Sequence, residues 1–289
     1  MSIRALLILI LVIPALIFGG AIALGLSIPV PTWGRDYVLE YALRGEGAVI
    51  ELPAIQGPDD PSRPLVVIDA GHGGRDPGSI GANVREKDIV LAMALALRDE
   101  LLREGGIRVA LTRDDDSIVE LANRPEIARL LGADLFLSLH ADSAGARDDV
   151  SGASIYTLST EASSEAAARF AARENNADNL NGVSVEGQSD EVSTILVELS
   201  QQQTQDDATE FSSLILREGQ GRLAFHSQAE RSAALAVLRA PDVPGVLFES
   251  GFITNRDDRA RLNTEEGRAT YVQVLARAIR VYFARRAEP

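Results

Sequence analysis

The chain has 289 residues and no cysteine, which excludes disulfides, thiol catalysis and thiolate metal sites. Positive charge is also short: 28 Lys and Arg stand against 42 Asp and Glu, for a formal net charge of −14. That balance argues against nucleic acid or an anionic membrane surface as the main partner. Histidine occurs only three times, so the setting of each one carries information. What remains is ordinary for a globular protein, 46% hydrophobic and 24% charged residues, enough for one large domain or one domain with appendages. There is no internal repeat.

One long apolar run is present. Ala5–Leu26 carries no charge and is as long as the roughly 20 residues needed to cross a bilayer. Pro14 and Gly19-Gly20 interrupt it, and Ala21-Ile22-Ala23 resembles a processing site. Residues 1–29 are therefore expected to be a cleaved signal peptide or an uncleaved signal anchor. Either would send the rest across the membrane, and an uncleaved anchor would tie it to the inner membrane through residues 5–26. Residues 30–63, rich in Pro, Gly and Asp, read as a linker.

From Leu65 strands and helices alternate. Strands are expected at Leu65–Asp69, Ile107–Thr112, Leu135–Leu139, Ala153–Leu158, Ala234–Leu238 and Val246–Glu249. Helices are expected at Glu86–Arg103, around Pro125–Leu131, at Ser163–Asn176 and at Glu265–Arg285. This order predicts an α/β fold: a single domain over 64–286, with a mostly parallel twisted sheet flanked by helices on both faces. Residues 175–221 break the rhythm with a polar loop and two expected helices. They read as an insertion, too long for an ordinary connection.

The loop "VVIDAGHGGRDPG" ends the first strand and holds His72. It admits three readings: a phosphate cradle, a glycine-rich turn with a surface histidine, or a metal ligand on backbone that glycines let bend closely. The phosphate reading lacks the Lys-Ser/Thr of a P-loop and the spacing of a dinucleotide fingerprint. "LFLSLHAD" repeats the device with His140, and the carboxyl ends of strands are where open α/β sheets bind ligands. Glu86, in "NVREKDIV", is a candidate third ligand, although Asn83-x-x-Glu86 reads equally as a helix capping box. Glu249, in "PGVLFESGFITN", ends an apolar strand; a carboxylate there is costly unless paired or functional.

Together "VVIDAGHGGRDPGSIG", "REKDIVLAMALAL", "LFLSLHAD" and "VLRAPDVPGVLFESGFITN" resemble the zinc-dependent N-acetylmuramoyl-L-alanine amidases, of the septal cell-wall hydrolase type. The resemblance spans Leu65–Arg285 and implies one zinc ion per chain, with His72, Glu86 and His140 as ligands and Glu249 as the catalytic glutamate. It implies hydrolysis of the amide joining N-acetylmuramic acid to L-alanine of peptidoglycan, in the periplasm, during daughter-cell separation. Glu249 would take the proton of the attacking water and return it to the leaving nitrogen. Asp69 is a candidate to orient a ligand histidine, with a purely structural role as the alternative. His226 is a candidate substrate contact, with a surface position at a helix end as the alternative.

The resemblance further implies that a helix in 175–221 blocks the zinc cleft until a coiled-coil activator with a metallopeptidase-like domain removes it. "DEVSTILVELSQQQ", residues 190–203, has apolar residues at i, i+3, i+4 and i+7; Asp190 or Glu191 is the expected capping ligand. Other readings are a zinc peptidase or deacylase of the same fold, or a wall-binding protein without catalysis. No N-terminal wall-binding sandwich fits in residues 30–63.

Overall fold

The structure is a computed structural model that describes residues 50–178 and 194–287, side chains of 194–202 excepted. Its centre is a run of strands whose side chains are buried throughout: β1 (Leu65–Ala70), β5 (Leu135–Asp142) and β8 (Gly245–Phe252). Burial on both faces is what continuous Leu/Val/Ile runs dictate, and parallel sheets provide it. With β4 (Arg108–Leu111), β6 (Ala153–Leu158) and β7 (Phe225–Ala233) they form a six-stranded sheet in the order β4-β1-β5-β8-β6-β7. Every pairing is parallel except β6 with β8. A two-stranded hairpin, β2 (Ile80–Gly81) and β3 (Val84–Arg85), stands apart from it.

Helices cover both faces, as expected. On one face α1 (Glu86–Glu104), α4 (Thr194–Gly219) and α6 (Glu265–Ala287) pack over β1, β5 and β8 through Met93, Leu97, Phe211, Leu275 and Tyr282. The other face buries Ile127 of α2 (Asn123–Leu130) and Phe170 of α3 (Glu165–Glu174) against Phe136, Tyr156 and Leu247. A short α5 (Arg256–Leu262) leads into α6.

Three expectations change. Ala234–Leu238 is no strand: a 3-10 turn, Ala236–Leu238, occupies it, and the edge strand is β7 just before. "FHSQAERSA" was illegible as a strand because an exposed edge needs no apolar alternation. Two helices expected within 175–221 are, in the described part, the single helix α4. The expected linker is described from Ile50, and there Gln56 exchanges backbone hydrogen bonds of 2.8 and 2.9 Å with Val109, covering the outer edge of β4. Among the described residues no helix is long and apolar enough to cross a membrane; the apolar run 5–26 lies outside them.

Asp258, fully buried at the start of α5, accepts from the backbone N–H of Gly152 (2.8 Å) and Phe252 (2.9 Å) and pairs with Arg261. It fastens the end of β8 to the start of β6. Replacing Asp258 by Ala leaves two buried N–H groups without their acceptor and is expected to cost about 3 kcal/mol, measurable by denaturant unfolding.

Candidate active site

Three adjacent strands deliver the site. His72 follows the end of β1, His140 lies near the end of β5, and Glu249 is its register partner on β8. His72 sits in the left-handed region, φ 60°, a conformation costing on the order of 1–3 kcal/mol for a side-chain-bearing residue. Two buried arginines hold this turn. Arg124 donates to the carbonyls of Ala70 (2.9 Å) and His72 (2.8 Å), and Arg113 to those of Ala70 (2.9 Å) and Gly71 (2.8 Å). Gly71 is required here for space: a Cβ would lie 2.5 Å from the His140 ring.

The ring nitrogens point to one place. His72 Nδ1 is taken by Asp76 Oδ2 at 2.7 Å, so its Nε2 faces inward. Glu86 Oε1 is 3.1 Å from that Nε2 and 3.0 Å from His140 Nδ1. The capping-box reading of Glu86 is overturned: the N-cap of α1 is Arg85, with no side-chain cap. The Glu86 carboxylate instead accepts from the N–H of Ala141 and of Ser79, both at 2.8 Å. Burial opposes its charge, but the His72 and His140 rings prevail and hold its pKa well below the usual carboxylate range.

Glu174, which sequence reasoning missed, completes the cluster. From the last turn of α3 its Oε2 reaches 3.6 Å from His72 Nε2 and 3.5 Å from His140 Nδ1. Candidate ligand atoms of His72, His140 and Glu174 all lie within 4.8 Å of one another. A clue was available: Ala167, Phe170, Ala171 and Glu174 share one helical stripe, and all are buried. A carboxylate ending an apolar stripe points inward. Asp190 and Glu191, the expected caps, lie outside the described residues.

The residues fit a first-row metal of the zinc kind. His72 Nε2 is buried without a hydrogen-bond partner, since Glu86 is near but not aligned for one. Two imidazoles and two carboxylates form a suitable donor set. Gly78 (φ 65°) lets the loop close, because a Cβ would come within 2.7 Å of Glu86 Oε2 and His72 Cδ2.

Glu249 is fully buried, and neither carboxylate oxygen accepts a hydrogen bond among the described residues. Burial, reinforced by the charges of Asp142, Glu86 and Glu174, pushes it well above the usual carboxylate range in the metal-free chain. Asp142 is pushed up to about 6 by burial, although Arg173 Nη2 lies 2.6 Å away.

Two expectations need correction. Asp69 touches neither histidine ring: it accepts from Thr112 Oγ1 (2.6 Å), Ser138 Oγ (2.7 Å) and Arg124 Nη1 (2.7 Å). Its influence on His72 passes through Arg124, and Asp76 is the ring's acceptor. His226 is on strand β7 rather than at a helix end, half-buried beside Arg231, its ring 6.0 Å from that of Phe252.

The family described as N-acetylmuramoyl-L-alanine amidase matches residues 66–281. The chain belongs to that family. It is 38% identical to the amidase AmiA of Salmonella typhimurium over 77% of each chain. It is 35% identical to AmiC of Escherichia coli over 80% of this chain and 57% of that one. Among solved structures, AmiC2 of Nostoc punctiforme has a TM-score of 0.55 at 28% identity, covering 76% of this chain and 97% of that one. The protein is thus a peptidoglycan amidase, acting on the bond between N-acetylmuramic acid and L-alanine.

Replacing Asp76 by Ala frees the His72 ring while leaving every candidate ligand in place. Metal affinity is expected to fall about 10- to 100-fold, read by chelator competition with folding checked by circular dichroism.

Proposed function

We propose that the amidase is zinc-dependent, that Glu249 is its catalytic base, and that Glu174 closes the site at rest. The observation that carries this is Glu249 itself: a buried carboxylate without hydrogen-bond partners among the described residues, in register with His140 and beside four converging donors. Removing such a group from water costs on the order of several kcal/mol, a cost expected where a carboxyl handles a proton. His72, Glu86 and His140 would hold the ion, and Glu174 would be a fourth, displaceable ligand.

Bound zinc supplies Lewis acidity that lowers the pKa of water and polarises the amide carbonyl. The chain's own part is proton transfer and orientation. Glu249 takes a proton from the attacking water and delivers it to the departing alanine nitrogen. Asp76 fixes the His72 tautomer by accepting from Nδ1–H. Glu86 is held in place by two backbone N–H groups, and the two imidazoles keep it charged against its burial. The glycine turn keeps His72 and His140 at a fixed separation, their ring centroids 4.9 Å apart.

The resting reading is drawn from position: Glu174 Oε2 stands against the two ring nitrogens that would hold the ion, where it would take a coordination position that substrate needs. Release would involve residues 175–221, which begin one residue later, acted on by an activator protein as the family resemblance implies. An exported, periplasmic enzyme working in daughter-cell separation is consistent with the apolar run 5–26 and with the septal type of the resembling family.

On purified sacculi, wild-type protein is expected to release free stem peptides from intact glycan, and chelator to stop it. Glu249→Ala is expected to lose about 100-fold or more in rate while keeping its metal. Glu174→Ala is expected to raise basal release about 100-fold or more, an outcome that requires a closed resting population. An unchanged or lower rate in folded, metal-loaded Glu174→Ala overturns the capping role; product masses other than stem peptides overturn the bond assignment.

A further inference from the structure

Among the described residues three arginines are buried: Arg113, Arg124 and Arg231. Arg113 donates into the carbonyls of Ala70, Gly71, Lys87 and Asp115, and Arg124 pairs with Asp69. Arg231 differs. It is 8% exposed, and no ion pair joins it to a carboxylate among the described residues. Its Nε donates to Gln228 O at 2.9 Å and its Nη1 to Tyr156 Oη at 3.0 Å. Its Nη2 lies 2.8 Å from His226 Nδ1 and 3.3 Å from His226 Nε2.

A guanidinium has five N–H groups, so this network leaves a hydrogen on each terminal nitrogen. Buried charges are ordinarily paired, and two N–H groups in a planar fork match a carboxylate. His226 adds a third donor. Its Nδ1 accepts from Gln228 N (3.0 Å) as well as from Arg231, so the ring is neutral with its hydrogen on Nε2, a tautomer assigned from the network.

The pair stands beside the reaction centre. Glu249 pairs with Ser154 across β8 and β6, and Ala153 pairs with Phe225 across β6 and β7. His226 therefore lies two strands from Glu249 in nearly the same row, about 10 Å away. Tyr156, which positions the guanidinium, is itself fixed by stacking on Phe170 at 4.4 Å. An extended peptide advances about 3.3 Å per residue, so a group bound here belongs to the first three residues beyond the scissile amide.

We propose that Arg231 and His226 form a carboxylate-binding subsite for the peptide side of the substrate. It selects stem peptides carrying a free carboxylate within those first residues over peptides in which that group is amidated. The inference rests on Glu249 marking the reaction centre.

The test uses full-length, zinc-loaded protein and two probes: N-acetylmuramoyl-L-alanyl-D-glutamate and its carboxamide. Wild type is expected to prefer the acid in kcat/KM by about 30-fold or more. Arg231→Gln is expected to lose that preference, falling on the acid and unchanged on the carboxamide. An equal fall on both probes, or a wild type indifferent to the carboxyl, overturns the proposal. A second readout needs no turnover. L-alanyl-D-glutamate is expected to shift the His226 ring resonances saturably, assigned by their loss in His226→Gln, whereas its diamide leaves them in place. If neither muramoyl probe is cleaved even by the Glu174→Ala protein, the reaction-centre assignment fails, and the His226 titration still decides the subsite. If Arg231→Gln does not fold, the same titration decides, and the absence of a saturable shift overturns the proposal.

Discussion

The site depends on the buried pair between Asp69 and Arg124, 2.7 Å apart. Asp69 alone would be a fully buried charge in the middle of a β-sheet. Thr112 from just after β4, Ser138 from β5 and Arg124 from α2 converge on it, so one carboxylate ties three elements to β1. Arg124 then uses its remaining donors on the carbonyls of Ala70 and His72, which turns the chain leftward and aims the His72 ring. A buried ion pair contributes little net stability compared with apolar packing of the same volume. Its consequence here is geometric: the strained turn has one conformation because both ends of the guanidinium are occupied.

The same economy of charge organises the metal cluster. Carboxylates of Asp76, Glu86, Asp142, Glu174 and Glu249 gather around two imidazoles, while Arg173 is the cation beside Asp142 and Glu174. Such a gathering is unfavourable in a bare chain, and burial pushes Asp142 and Glu249 upward accordingly. Glu86 goes the other way because the His72 and His140 rings outweigh its burial. The carboxyls divide by environment: Glu86 is held charged, and Glu249 stands without hydrogen-bond partners among the described residues.

Much of this was legible in the sequence, for identifiable reasons. The buried strands announce themselves through unbroken Leu/Val/Ile runs, and each of the three chemical positions at strand ends is the first polar side chain able to reach beyond the sheet. The α/β class follows from that, whereas grouping His72, Glu86, His140 and Glu249 needed the family resemblance, since Glu86 opens a helix rather than ending a strand. Edge strand β7 was illegible because its exposed face removes the apolar pattern. Asp69 stayed open between orienting a histidine and a structural role, because its partners Thr112, Ser138 and Arg124 come from three other segments that spacing along β1 does not reveal. Glu174 required helix-face reasoning across α3, and Asp76 is distinguishable from any turn aspartate only once the His72 ring is placed.

Withdrawal of Glu174 from the cluster has a definable cost. Asn175 next to it donates to Ala234 O and accepts from Ala236 N, both at 2.8 Å. Asp178 accepts from Leu121 N through both oxygens, at 2.9 and 3.1 Å. Arg173 is bound to Asp142, and Phe170 is stacked on Tyr156. Moving the end of α3 breaks three or four such contacts together, on the order of 3–5 kcal/mol. At that gap the open population is well under one part in a hundred, and a ligand opens the site only through its differential affinity for the open form. These clamps lie outside the histidine–carboxylate cluster, so the proposed resting state would be held by ordinary hydrogen bonds to Leu121, Ala234 and Ala236. Under the proposed capping by Glu174, activation would be a competition for the end of α3, with His72 and His140 left where β1 and β5 place them.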